Sequence, residues 1–149
     1  MSTTSADISP ELREKFCSRC GELTTTICPE CEAQIRGYYH VEGVITLGGK
    51  YEPPPHCYNC GAAFPWTKRK MAAAIELLET DGVLTNKELA QFREDLAVLT
   101  MDSPGVQIAS IRFKKAMAKV GLSVASGVRE IIVDVLSEAA KKALWGSGS

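Results

Sequence analysis

Residues 17–31 read CSRCGELTTTICPEC, and residues 57–61 read CYNCG. These two stretches hold all 6 cysteines of the chain, in three Cys-x-x-Cys pairs. The pairs are Cys17/Cys20, Cys28/Cys31 and Cys57/Cys60. Two thiolates at this spacing in one tight turn bind a metal ion at about 2.3 Å, while backbone amides of the turn hydrogen-bond the sulfurs. All six cysteines are therefore predicted metal ligands, and the predicted cofactor is structural Zn²⁺.

Disulfides, redox-active thiols and rubredoxin-like iron are the other chemistries that use such pairs. The N-terminal residues Met1–Asp7 have neither the basic nor the apolar region of a signal peptide. We therefore expect a cytoplasmic protein in a reducing compartment, which disfavours disulfides. A thioredoxin-type pair opens a helix within a βαβ unit, and the sequence indicates no such unit. Structural zinc is favoured, with iron and redox thiols as alternatives.

The sequence between the pairs indicates which cysteines share an ion. Gly21–Ile27 separates the first two pairs, ends in a β-branched run and spans about 23 Å when extended. Between the second and third pairs, residues 34–41 and 44–47 predict two strands of a hairpin that turns at Gly48-Gly49. Such a zinc-ribbon hairpin favours one ion on Cys28, Cys31, Cys57 and Cys60. The alternative is one ion on the first two pairs.

Under the favoured pairing, Cys17 and Cys20 form half of a site. Its other ligands could be His40, His56, a second chain or a segment outside this sequence. For each histidine, a strand residue with a hydrogen-bonded ring nitrogen is favoured over a metal ligand. His56 also stands beside Cys57, which makes joint ligation of one ion awkward.

One pattern imitates a catalytic site. His40-Val41-Glu42, followed by Pro55-His56-Cys57-Tyr58-Asn59-Cys60, is similar to the zinc-deaminase signature H-x-E…P-C-x-x-C. In deaminases each half of the signature opens a helix, whereas the connection here holds three glycines and three consecutive prolines. We therefore reject a deaminase and expect no role for Glu42 in proton transfer.

The chain also carries four longer motifs. They are Cys28-Pro29-Glu30-Cys31, Ile35-Arg36-Gly37-Tyr38, Cys57-Tyr58-Asn59-Cys60-Gly61 and Phe64-Pro65-Trp66-Thr67. With these motifs the chain resembles an uncharacterised family of bacterial zinc-ribbon proteins, strongly over about a third of its length. The resemblance implies a zinc-ribbon fold and a metal site, and it implies no activity. It also implies an upstream Cys-x-x-Gly-His segment that would complete the Cys17/Cys20 site, and this sequence has no such segment.

Beyond Pro65 the sequence predicts about four helices. The first has Thr67 as its N-cap, and the second begins with a capping box at Thr85–Glu88. The third has Ser103 as its N-cap and Pro104 in its first turn. The last spans about Ser123–Leu144. The predicted core positions of the first three helices are Met71, Ile75 and Leu78, then Leu89, Phe92, Leu96 and Leu99, and then Ile108, Ile111 and Met117.

The predicted last helix bears a wide apolar stripe and would be about 33 Å long, which exceeds its neighbours. Part of the stripe would protrude, so we expect self-association through this helix, with an intramolecular bundle as the alternative. Small residues at 125–127 would let another helix approach closely. The stripe comprises Val124, Val128, Ile131, Ile132, Val135, Leu136, Ala139, Ala143 and Leu144.

The charge balance limits the class of partner. With 17 basic and 18 acidic residues, the net charge is −1, and no half of the chain is basic. Nucleic acid is therefore possible but not favoured. Its contacts would lie at Lys68–Lys70 with Arg36, Tyr38 and Tyr39, although these aromatics are expected to pack on the cysteine turns. The basic cluster Arg112–Lys115 is expected to be a solvated helix face, and no apolar run is long enough to span a membrane.

The predicted fold class is α+β, a small zinc-ribbon β-hairpin module followed by an all-α region. The predicted boundaries are a flexible segment at 1–15, the zinc-ribbon module at 16–66, the helical region at 67–145, and a tail at 146–149 whose Gly-Ser composition is typical of an engineered linker. Four thiolates leave no open metal position, and no catalytic triad or phosphate-binding loop occurs, so an enzyme is not expected. The predicted function is a zinc-stabilised interaction or assembly module, with a nucleic-acid-binding zinc ribbon as the alternative.

Overall fold

The computed structural model describes residues 10–37, 42–45 and 51–146. The chain divides into two compact units, Met1–Phe64 and Pro65–Ser149. The first unit holds the cysteine turns and the second holds the α-helices. Among the described residues, no helix is long and apolar enough to cross a membrane.

The first unit contains very little regular structure in its described residues. It has a 3-10 turn at Pro10–Leu12 and three isolated antiparallel bridges, each of which closes one cysteine turn. The predicted hairpin falls largely on residues 38–41 and 46–50, which lie outside the described residues. The hairpin therefore stays a prediction.

The described residues of the second unit form five α-helices, one more than predicted. They are α1 (Pro65–Asp81), α2 (Asn86–Leu99), α3 (Val106–Lys119), α4 (Leu122–Ile132) and α5 (Glu138–Trp145). Helix α1 packs against α2 and α4, while α3 packs against α2 and α5.

The core of the helical unit confirms the predicted face of α2. Leu89, Phe92, Leu96 and Leu99 are all buried, and Phe92 stacks on Phe113 of α3 with 5.2 Å between ring centroids. The capping box is also present, since the Thr85 side chain accepts from the Glu88 amide and the Glu88 carboxylate accepts from the Thr85 amide. The pattern of apolar spacing and capping therefore placed α2 correctly.

The predicted starts of α1 and α3 are wrong. Helix α1 begins at Pro65, because proline is favoured in the first turn of a helix, and Thr67 is fully buried inside it. Helix α3 begins at Val106 with Gly105 as N-cap, and the Ser103 carbonyl only closes the preceding turn by accepting from the Val106 amide at 3.1 Å.

The predicted core face of α3 is wrong at two of its three positions, since Met117 packs against the core. Ile108 and Ile111 are 51% and 52% exposed. The residues that this helix buries include Val106, Ala109 and Phe113, which repeat at helical spacing on a different face.

The single long C-terminal helix is wrong as well. Residues 133–137 form a turn between α4 and α5, in which the Ser137 hydroxyl accepts from the Ala140 amide at 3.1 Å and so caps α5. The turn places Val135 and Leu136 in the core. Both helices pack within the unit, and the apolar stripe is divided between these two short helices instead of extending along one long helix.

The small residues of α4 contact a helix of the same chain. A Cβ atom added at Gly127 would lie 3.0 Å from Cδ2 of Leu77 in α1. This close approach is therefore intramolecular.

Candidate metal centre

The three Cys-x-x-Cys turns have one common backbone structure. We name them knuckle A (residues 15–24), knuckle B (26–35) and knuckle C (55–64). In each knuckle the amide of the first cysteine donates to the carbonyl five residues later, and the carbonyl of that cysteine accepts from the amide four residues later. The first bond joins Cys17 to Glu22 at 2.7 Å, Cys28 to Ala33 at 2.8 Å and Cys57 to Ala62 at 2.9 Å. The second bond joins Cys17 to Gly21 at 2.7 Å, Cys28 to Glu32 at 2.9 Å and Cys57 to Gly61 at 2.9 Å.

An outer pair of interactions closes each knuckle at its base. The residue before the first cysteine forms an antiparallel bridge with the residue seven positions later, and a further amide donates across the base at 2.8–3.1 Å. The bridges are Phe16 with Leu23, Ile27 with Gln34, and His56 with Ala63. The knuckle is thus a structural repeat of ten residues that occurs three times.

The residue after the second cysteine has a positive φ in every knuckle. Gly21 and Gly61 have φ of +74° and +73°, and Glu32 has φ of +61°. Among the described residues, Glu32 is the only non-glycine residue with a positive φ. The knuckle backbone forms in B despite the strain that this conformation imposes on an L side chain.

Knuckles B and C bring four sulfur atoms together. The Sγ atoms of Cys28 and Cys60 lie 3.8 Å apart, those of Cys31 and Cys57 lie 3.7 Å apart, and all four lie within 4.8 Å of one another. Four sulfurs at about 2.3 Å from a tetrahedral ion would be separated by about 3.8 Å, whereas a disulfide requires about 2.05 Å. The spacing therefore fits a metal ion bound by four thiolates.

The four-cysteine cluster is the group that the favoured pairing predicted. Cys28 and Cys57 are buried, Cys31 is half-buried and Cys60 is exposed. The first cysteine of each knuckle lies beside the second cysteine of the other, so the two knuckles meet in a crosswise arrangement.

Asn59 supports two of the sulfurs, a role that the sequence analysis missed. Its backbone amide donates to Cys57 Sγ at 3.4 Å, and its side-chain amide donates to Cys31 Sγ of the other knuckle at 3.5 Å. The Asn59 side chain, followed by the Ala33 backbone, lowers the pKa of Cys31 to about 6. The sequence signal for this role is the position of the Asn59 amide between the ligand cysteines Cys57 and Cys60, where it can donate to a sulfur.

Cys60 shows the opposite behaviour. A hydrogen bond from the Ala62 backbone lowers its pKa, but desolvation and the neighbouring thiols outweigh that bond and raise the pKa of Cys60 to about 12. Four thiolates this close repel one another, so full deprotonation requires a cation among them. The electrostatics of the cluster thus agree with its geometry.

The remaining predicted ligands lie elsewhere. Cys17 is half-buried and Cys20 exposed, and neither belongs to the four-cysteine cluster. Backbone hydrogen bonds from Cys20 and Arg19 lower the pKa of Cys17 to about 7. His56 lies outside the cluster and burial lowers its pKa, while His40 lies outside the described residues.

A shallow cleft of about 290 Å³ opens within the first unit. Arg36, Tyr51, His56 and Tyr58 line it together with Gly37, Glu52, Pro54 and Phe64. The Arg36 guanidinium lies over the Tyr58 ring at 4.3 Å, and Tyr51 donates a hydrogen bond to the Arg36 carbonyl. Tyr38 and Tyr39, the other aromatics considered for nucleic acid, lie outside the described residues.

The two predicted basic clusters are partly engaged in the helical unit. Arg112 contacts Asp95 at 3.4 Å and Lys70 contacts Asp134 at 2.6 Å. Phe113, which lies within the basic cluster Arg112–Lys115, is buried.

The site and the fold define a class of protein, in which cysteine knuckles form a four-thiolate cluster able to hold a metal ion and helices follow. The chain belongs to a family described as uncharacterised proteins conserved in bacteria, DUF2321, whose model matches residues 1–144. This confirms the resemblance to an uncharacterised bacterial family. No curated protein and no solved structure matches the chain.

Proposed function

We propose that the protein is a non-enzymatic, zinc-stabilised interaction module that acts as an adaptor or a subunit of a bacterial complex. The carrying observation is the cluster of four cysteine sulfurs, all within 4.8 Å of one another. Zinc is the proposed metal because it favours tetrahedral sites of four thiolates in structural roles.

The non-enzymatic part of the proposal follows from the ligand set. Four thiolates close a tetrahedron and leave no position for an activated water molecule. The deaminase signature would assign Cys57 and Cys60 to a site with His40, whereas both cysteines lie with Cys28 and Cys31. The same arrangement supports a metal that stabilises the fold.

Elemental analysis after purification under reducing conditions tests the metal. We expect tightly held zinc and loss of near-ultraviolet dichroism from the first unit on chelation, because structural zinc contributes about 10 kcal/mol to folding such modules. Cys57→Ser should lose more zinc than Cys17→Ser, since Cys57 belongs to the cluster. A protein without zinc, or equal losses in the two variants, would contradict the proposal.

The interaction role is supported by apolar side chains on the surface of the helical unit. Ile108, Ile111 and Leu122 are 51%, 52% and 91% exposed. Affinity capture from the native host followed by mass spectrometry, compared with an Ile108→Lys/Ile111→Lys variant, tests whether this surface binds a partner. Partners that bind both forms equally would place the interaction elsewhere.

Self-association through the C-terminal segment stays a prediction, although this segment forms two short helices and not one long helix. Light scattering at tens of micromolar tests it. A Val135→Asp variant is unsuitable for that experiment because Val135 is 2% exposed, and the substitution would unfold the helical unit. The cytoplasmic location also stays a prediction.

The alternative function, binding of single-stranded nucleic acid, is favoured by one observation. Tyr58 is 57% exposed and lies against the Arg36 guanidinium, which resembles a stacking platform. Salt-dependent retention on single-stranded nucleic acid that is lost in Tyr58→Ala would favour this alternative. Absence of retention at low salt would favour the interaction module.

A further inference from the structure

Helix α3 exposes two isoleucines that its apolar spacing predicts for the core. Ile108 and Ile111 lie three positions apart, which makes them neighbours on one face of the helix, and they are 51% and 52% exposed. The helix buries a different face, which includes Val106, Ala109 and Phe113. Isoleucine is also a weaker helix former than leucine or alanine, so helix propensity does not explain its use here.

Basic side chains adjoin this apolar pair. Arg112 follows Ile108 by four positions, and Lys114 and Lys115 follow Ile111 by three and four, so each lies next to an isoleucine on the helix surface. Residues 103–128 contain no Asp or Glu. The exposed face of α3 is therefore apolar at Ile108 and Ile111 and positively charged toward its C-terminal end.

The charges that α2 contributes beside this face are already paired. Arg112 contacts the buried Asp95 at 3.4 Å, and Lys119 contacts Glu88. Lys114 and Lys115 are exposed. These two lysines present positive charge outward, next to the isoleucines.

The charge pattern distinguishes among the surfaces that could cover this face. An interface with an apolar centre and a charged rim is typical of protein partners, and opposite charges at the rim select among them. A lipid-binding cluster uses about four to eight basic residues, whereas two of the four in α3 are paired with acidic residues of α2. A two-fold contact with a second copy would place lysines opposite lysines. The pattern therefore favours an acidic protein surface.

We propose that the exposed face of α3 binds an acidic amphipathic helix of another protein. Apolar side chains of that helix cover Ile108 and Ile111, and its carboxylates pair with Lys114 and Lys115. The inference rests on the proposed function, because it names the chemistry of the partner that the interaction module binds.

The test is selection from a peptide library on the full chain loaded with zinc. Helical peptides of about twenty residues carry leucine on one face, at positions i, i+3, i+4 and i+7, while the flanking positions vary among Glu, Lys and Gln. We expect the retained peptides to be enriched in Glu. Binding of such a peptide, measured by fluorescence anisotropy, should weaken about tenfold in Ile108→Gln/Ile111→Gln and should weaken as salt is added.

A charge reversal makes the test specific to this face. Lys114→Glu/Lys115→Glu should reverse the selection, so that the retained peptides are enriched in Lys. The matched control is Lys68→Glu/Arg69→Glu, which makes the same charge change at two exposed basic residues of α1 and should still retain Glu-rich peptides. If a variant does not fold, as judged by circular dichroism, the selection on the unaltered chain still decides.

Four outcomes would overturn the inference. Equal retention of Glu-rich and Lys-rich peptides by the unaltered chain would show that charge does not select the partner. Binding that is unchanged in Ile108→Gln/Ile111→Gln would place the peptide on another surface. Sedimentation with phosphatidylglycerol vesicles but no peptide binding would identify a membrane surface. Light scattering that shows self-association lost in Ile108→Gln/Ile111→Gln would identify a second copy.

Failure of this inference can be told apart from failure of the proposed function. Host proteins captured by the unaltered chain but not by Ile108→Lys/Ile111→Lys, together with no selection of acidic peptides, would leave the interaction module standing with a partner of different chemistry. Neither capture nor peptide selection would refute both.

Discussion

The position after the second cysteine of each knuckle offers a direct test of the metal-binding geometry. Glu32 has φ of +61° where knuckles A and C have glycine. We predict that Glu32→Gly strengthens zinc binding by the four-cysteine cluster and that Gly61→Ala weakens it. The two substitutions exchange the same feature in opposite directions.

The magnitude follows from two opposing terms. A left-handed backbone destabilises a folded non-glycine residue by about 1–2 kcal/mol. Glycine avoids this cost, but it lowers the free energy of unfolding by about 0.4–1 kcal/mol because it makes the unfolded chain more flexible. A Cβ atom at Gly61 would meet nothing within 4 Å, so no steric term is added. The net change of about 0.5–1 kcal/mol corresponds to a two- to fivefold change in apparent zinc affinity, since metal binding and folding are coupled.

Competition with a chromophoric zinc chelator measures this affinity. Glu32→Ala is the matched control, because it removes the carboxylate but keeps a side chain at the positive φ, and we expect it to resemble the unaltered protein. An equal gain in Glu32→Ala and Glu32→Gly would show that the carboxylate, not the backbone, limits affinity. Unchanged affinity in Gly61→Ala would refute the argument from backbone strain.

Three further predictions concern the cluster and the helical unit. Asn59→Ala should weaken zinc binding about 10–100-fold and move its pH midpoint upward, measured by chelator competition across pH, because the pKa of Cys31 loses the main cause of its lowering to about 6. A hydrogen bond from Lys119 is the main cause that lowers the pKa of Glu88 to about 2. The ionised carboxylate therefore stabilises the fold above about pH 4.5, and this stabilisation is lost as the pH falls toward 2. Thermal melts of Glu88→Gln across this pH range should lack this part of the acid dependence. Leu96→Ala should destabilise the helical unit by about 2–5 kcal/mol in denaturant titration, whereas Ile108→Ala, at a residue 51% exposed, should change it by less than about 1 kcal/mol; similar losses would show that the core is placed wrongly.

The cysteine turns and α2 could be predicted because their signals are local. The Cys-x-x-Cys spacing fixes a knuckle within ten residues, and Thr85 with Glu88 fixes a helix start within four. The meeting of knuckles B and C was favoured from the length and composition of the intervening chain.

The errors arise where a distant contact decides between local options. The segment 133–137 has no glycine or proline, so its apolar spacing continued the helix, yet Ser137 donates its amide to the Leu99 carbonyl at 2.9 Å and caps α5. Ile108 and Ile111 are larger and more apolar than Ala109, but the neighbouring helices determine which face of α3 is buried. The support of Cys31 by Asn59 depends on a contact between two residues that are 28 positions apart in sequence.

The hydrophobic core has a consequence for how the chain responds to metal supply. Among the residues that the structure describes, every member of the buried cluster lies between Ala74 and Leu144, within the helical unit. On the proposed function, the folded fraction of the cysteine unit varies with the free zinc concentration, while the helical unit depends on its own apolar packing. A single melting temperature cannot describe such a chain. During zinc starvation, the C-terminal half would be folded and the N-terminal half unfolded. Proteases would therefore degrade the N-terminal half before the C-terminal half.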